Sequence, residues 1–130
     1  MSSPTVRTLD LLRKEGWLCA VVERYNMHAK LRQDLYGFGD VLAIHAGIKQ
    51  TMIVQTTTRS NLTSRVKKAK HLRSMLICLR AGVWVQFHGW YKDRSGVWRV
   101  AIVKVTEADI DITQVIPRRP RKREEPGLFP

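Results

Sequence analysis

The stretch Thr51-Met52-Ile53-Val54-Gln55-Thr56-Thr57-Thr58-Arg59-Ser60 decides the fold. Its first half reads as a buried strand that turns polar at Gln55, Thr56 and Thr57. From Ser60 the pattern changes. Leu62, Val66, Ala69, Leu72, Leu76 and Leu79 step by three or four residues, the spacing that lays one apolar stripe along a helix. Arg65, Lys67, Lys68, Lys70 and Arg73 fall mostly off that stripe. One helix from about Ser60 to Arg80 is predicted, with Ser60 as N-cap and Gly82 at its end. "VWVQFHGWY", residues 83–91, then alternates as a strand. Val83, Val85 and Phe87 share one face, and Trp84, Gln86, His88 and Trp90 the other. The long helix between two strands is a crossover, which predicts that those strands run parallel.

Outward from this unit the elements are shorter. "TVRTLDLLRKEGW" (5–17) reads as a first helix stopped at Gly16, and "WLCAVVE" (17–23) as a strand ending at Glu23. "RYNMHAKLRQDLYGFG" (24–39) is polar and irregular, a loop or partial hairpin. "DVLAIHA" (40–46) is a buried strand opening at Asp40, and "GIKQ" turns it back towards residue 51. "DRSG" (93–96) turns into a last strand, "VWRVAIVKV" (97–105). The expected fold class is α/β, a mixed central sheet flanked by helices in the order α-β-β-β-α-β-β. Trp84, Trp90 and Trp98 are expected in the core or on a shielded sheet face. Residues 1–116 are expected to form one domain, and "PRRPRKREEPGLFP" (117–130) a disordered basic tail.

Composition narrows the partners. The formal net charge of +12 over 130 residues favours a polyanion, nucleic acid first. No Asp or Glu lies between Asp40 and Asp93, whereas lysines and arginines recur throughout that span. No apolar run is long enough for a membrane span, and the N-terminus has no signal pattern. Cys19 and Cys78 form no metal-binding pair, and none of the four histidines has ligand spacing. These features predict an intracellular, cytoplasmic protein in its reduced state.

Glu23, Asp34, Asp40 and Gln55 sit at or near strand ends. If residues 40–46 and 51–57 pair as a hairpin, the start of one strand lies beside the end of the other. A period of two places Gln55 and Thr57 on one face. Asp40, Gln55 and Thr57 are therefore expected to converge, with Glu23 able to join them. The bland reading is a turn aspartate and a glutamine reaching the surface.

This element order, with Asp40 opening the second strand and a polar pair two apart on the third, resembles the PD-(D/E)XK nuclease superfamily, including its Holliday junction resolvases and virus-type replication-repair nucleases. The resemblance covers roughly residues 6–91. It implies a restriction-endonuclease-like core and a metal-dependent DNA endonuclease using Mg²⁺ or Mn²⁺. Asp40 matches the family aspartate, Gln55 stands where the third-strand acid is expected, and Thr57 stands where the lysine is expected. Glu23 resembles the early acid of the resolvase-like branch. The ligand set is then Glu23, Asp40 and Gln55, with Asp34 as a further choice. Gln55 offers an oxygen without charge, and Thr57 cannot replace an ammonium. Arg65 or Lys68 is expected to supply the missing cation from the following helix. Arg32, Arg59, Arg65, Lys67, Lys68, Lys70 and Arg73 are the expected DNA contacts. Nothing resembles a base-reading motif, so structure-selective cutting is expected. A branched substrate favours a symmetric homodimer. A small basic chain of this kind suits a phage or mobile element. The alternative is a catalytically inactive nuclease-fold protein that binds nucleic acid.

Overall fold

A computed structural model describes residues 3–28 and 31–116, without the side chains of residues 24–26, 31 and 32. Helix α1 spans Pro4–Lys14. The Ser3 hydroxyl caps it by accepting from the Val6 N–H at 3.2 Å, and Pro4 occupies its first turn, where no N–H is needed. The strands are β1 (Leu18–Val21), β2 (Arg24–Asn26), β3 (Leu31–Gln33), β4 (Val41–His45), β5 (Gln50–Thr58), β6 (Trp84–Lys92) and β7 (Trp98–Val105). Helices α2 (Arg59–Ala69) and α3 (Arg73–Arg80) connect β5 to β6. The main sheet has the order β1-β4-β5-β6-β7, and β2 and β3 pair separately. β4 runs antiparallel to β1 and β5, β6 is antiparallel to β7, and β5 and β6 are parallel as the crossover requires.

Both faces of β5 are covered, which is why Met52-Ile53-Val54 is apolar without alternation. Met52 and Val54 pack with Leu9, Leu12, Trp17, Val41 and Ala43 under α1. Ile53 points the other way, into a cluster with Phe38, Leu62, Val66, Met75 and Phe87 under α2 and α3. A polar seam crosses the α1 face. Fully buried His88 bonds the Thr8 hydroxyl through Nδ1 at 3.1 Å and Gln86 Oε1 through Nε2 at 2.9 Å. Trp90 donates its Nε1–H to the same Thr8 oxygen at 2.9 Å. Burial pushes the His88 imidazole down to about 4.

The predicted single helix is two. The chain breaks at Lys70–Leu72, where Leu72 turns extended (φ −78°, ψ 131°) and starts α3. The apolar stripe continues across the break, so periodicity cannot reveal it. What holds the break is remote in sequence: the His71 carbonyl accepts from the Ile116 N–H at 2.8 Å, and His71 Nδ1 lies 3.0 Å from the Gln114 carbonyl. The N-cap of α2 is Thr58, not Ser60, and Ser60 meets its hydroxyl at 3.0 Å. The irregular segment contains the β2–β3 hairpin. Of the three tryptophans expected in the core or on a shielded sheet face, Trp90 is buried, but Trp84 is 45% exposed and Trp98 43%. The predicted basic tail, 117–130, lies outside the described residues. Among those residues no helix is long and apolar enough to cross a membrane.

α2 is set down close to the sheet. A Cβ on Gly89 of β6 would lie 3.0 Å from the Arg59 Cα and 3.1 Å from the Leu62 Cβ. Gly89 pairs with Thr57, so the first turn of α2 is pinned over the end of β5.

Candidate metal centre

Three backbone devices bring the acids together. Leu35 and Gly39 exchange N–H···O bonds of 2.8 Å in each direction, folding Asp34 back beside Asp40. Only glycine fits at 39, because a Cβ there would come within 2.5 Å of Ile53 Cγ2. The Asp40 N–H donates to the Val54 carbonyl at 2.9 Å, extending β4 alongside Gln55. The Val22 N–H donates to the Asp40 carbonyl at 2.9 Å, which brings the end of β1 and Glu23 to the same point. Carboxylate oxygens of Glu23, Asp34 and Asp40 consequently lie within 4.8 Å of one another.

Asp40 is 6% exposed. Its Oδ2 accepts from the Thr56 N–H at 2.8 Å and the Thr56 hydroxyl at 3.3 Å. Burial pushes its carboxyl up to about 7; the Thr56 N–H works against this, and the Asp34 and Glu23 carboxylates raise it further. Gln55 is 4% exposed and its Nε2 reaches Asp34 Oδ2 at 3.5 Å. Its Oε1 is buried and, among the described residues, meets no donor. A buried acceptor without a partner is costly.

A cleft of about 420 Å³ opens here, lined by Asp34, Gly37, Gln55, Ser64, Arg65 and Lys68 among others. The two cations proposed to stand in for the lysine therefore face the same space as Asp34 and Gln55. The other basic candidates lie elsewhere. Arg59 stacks on Tyr91, its guanidinium carbon 3.8 Å from the ring centroid. Lys67 and Arg73 are exposed on α2 and α3, and Lys70 sits at the end of α2 near Asp109. The Arg32 side chain lies outside the described set. Thr57 shares the face of Gln55 but is 6% exposed, beside Gly89 and the start of α2.

The donor set suits a hard divalent cation. It combines three carboxylates whose oxygens lie within 4.8 Å of one another, one of them an aspartate raised chiefly by burial, with the buried amide of Gln55 beside Asp34. Sequence reasoning missed Thr56, which holds Asp40, and Thr5, whose hydroxyl lies 2.8 Å from that of Thr56. Alternation assigns Thr56 to the opposite face, and a contact spanning 51 residues leaves no local pattern.

No family model matches the chain, and no curated protein or solved structure matches it. The site is therefore read from its own geometry.

Proposed function

We propose that this chain is a metal-dependent endonuclease acting on DNA, built on a restriction-endonuclease-like core. One observation carries the reading. In a chain of net charge +12, three acids from separate turns and strand ends bring carboxylate oxygens within 4.8 Å of one another, with the buried Gln55 amide reaching Asp34 at 3.5 Å. Glu23, Asp34, Asp40 and Gln55 would hold Mg²⁺ or Mn²⁺. Such a cation, when bound, supplies Lewis acidity, lowering the pKa of water and offsetting phosphate charge. Thr56 fixes the Asp40 carboxylate through two hydrogen bonds, so the ligand is oriented in advance. Arg65 and Lys68 stand across the cleft, where they neutralise a phosphodiester drawn towards the acids. The exposed Lys67 and Arg73 add backbone attraction without sequence information.

The burial of Thr57 at the lysine position favours a second reading, a binding module on the same fold. Cleavage of labelled linear, single-stranded and four-way-junction DNA in Mg²⁺, Mn²⁺ or EDTA separates the two. The nuclease reading expects metal-dependent cutting that is lost in Asp40→Ala. Tight binding in every buffer, with no product and no effect of Asp40→Ala, leaves the binding module.

A further inference from the structure

The β6–β7 hairpin runs past the rest of the sheet at the end that holds the acids. β5 stops at Thr58, opposite Trp90, but β6 and β7 continue through the pairs Tyr91↔Arg99 and Lys92↔Trp98. From Phe87, level with Gln55, to Lys92 is five residues of strand, about 16 Å.

Each face of this extension carries an aromatic ring beside a cation. On the α1 face Arg7 lies over Trp98, its guanidinium carbon 3.6 Å from the ring centroid, and Lys92 Nζ lies 5.6 Å from it. Trp98 nevertheless remains 43% exposed. On the α2 face, the face of Gln55 and the cleft, Arg59 lies over Tyr91 at 3.8 Å. Exposed Arg94 stands at the tip. The one acid of the hairpin, Asp93, is tied to Ser95, Val97 and Arg99 within it. The extension is thus cationic and aromatic on two sides.

We infer that this hairpin is a wedge for a junction between duplex and single strand, with Trp98 and Tyr91 stacking unpaired bases on its opposite faces. Aromatic rings among cations bind single strands without regard to sequence, since every base has a stacking face. Two such rings on opposite faces of one projecting hairpin suit two separated strands better than one continuous duplex. The inference rests on the nucleic-acid reading of the neighbouring cleft but not on catalysis.

The test is fluorescence anisotropy in EDTA with three labelled probes: a blunt duplex, the same duplex ending in an unpaired fork, and a single strand. The wild-type chain is expected to prefer the fork to the blunt duplex. Trp98→Ala and Tyr91→Ala should each weaken fork binding about ten-fold, the effect of losing one stacked base, and leave blunt-duplex binding unchanged. Trp98→Phe should restore most of the preference. Equal wild-type affinity for fork and blunt duplex overturns the wedge, as does an equal loss on both probes in the alanine variants. Because the assay contains no free divalent metal, its failure leaves the metal-dependent cleavage result standing, and the converse also holds.

Discussion

Replacing Asp40 by asparagine should stabilise the metal-free protein at pH 8, although it removes a ligand. Asparagine keeps an oxygen for the Thr56 N–H and adds a donor for Asp34, while removing a buried charge that faces two other acids. A carboxyl pushed from 3.8 up to about 7 corresponds to a ceiling of roughly 4 kcal/mol, at about 1.4 kcal/mol per pH unit. The three acids share the strain, so about 1–2 kcal/mol is expected. For a chain of this size that is roughly 3–8 °C in Tm. The sign follows from linkage. The folded state holds the Asp40 proton more tightly than the unfolded state, so the Asp40 contribution to wild-type stability falls as pH rises from about 4 to about 7 and is flat above. The asparagine variant lacks this fall. The two proteins should therefore match near pH 4 and diverge towards pH 8. Saturating Mg²⁺ should invert their order, since a ligand at 100 times its Kd adds about 2.7 kcal/mol to the protein that binds it. Urea denaturation at pH 4, 6 and 8, with EDTA or Mg²⁺, reads all three effects. If Asp40→Asn is the less stable protein in EDTA at pH 8, by the same margin at pH 4, the reasoning fails. Asp40 is then only a strand-end acceptor for Thr56.

His88 gives the opposite pH trend. Buried neutral and lowered to about 4, it should cost the fold on the order of 3 kcal/mol as pH drops from 6.5 to 4, a loss seen most cleanly by urea denaturation in the Asp40→Asn background and absent in His88→Gln. Gly39→Ala forces a Cβ to within 2.5 Å of Ile53 Cγ2; it should cost about 1–3 kcal/mol and reduce Mg²⁺-induced stabilisation in thermal melts. Lys68→Ala or Arg65→Ala should lower the single-turnover cleavage rate about 100-fold with little change in DNA affinity, whereas Lys67→Ala should weaken binding alone.

The main sheet was legible because its signals are local. The apolar run at Met52, the stripe from Leu62 and the alternation from Val83 each carry their own period, and the parallel β5–β6 pairing follows from the helical connection. The approach of Asp40 to Gln55 was legible for the same reason, once the hairpin was assumed. Asp34 needed the tight Leu35–Gly39 turn to bring it in. The break at His71 and the Thr5–Thr56 contact depend on partners more than 40 residues away, which no window of sequence displays. The exposed tryptophans were misplaced because alternation shows which face a residue is on, not whether a helix covers it. α1 covers Trp90 through Thr8 but leaves Trp98 and Trp84 partly open.

The central claim is that Glu23, Asp34, Asp40 and Gln55 form a divalent-cation site. Mn²⁺ titration at pH 7.5, followed by electron paramagnetic resonance of the free ion, tests it without any assumption about substrate. The account predicts saturable binding to the wild-type chain, weakened in Gln55→Leu and lost in Asp40→Ala. Absence of saturable binding, or binding that Asp40→Ala leaves unchanged, would contradict it.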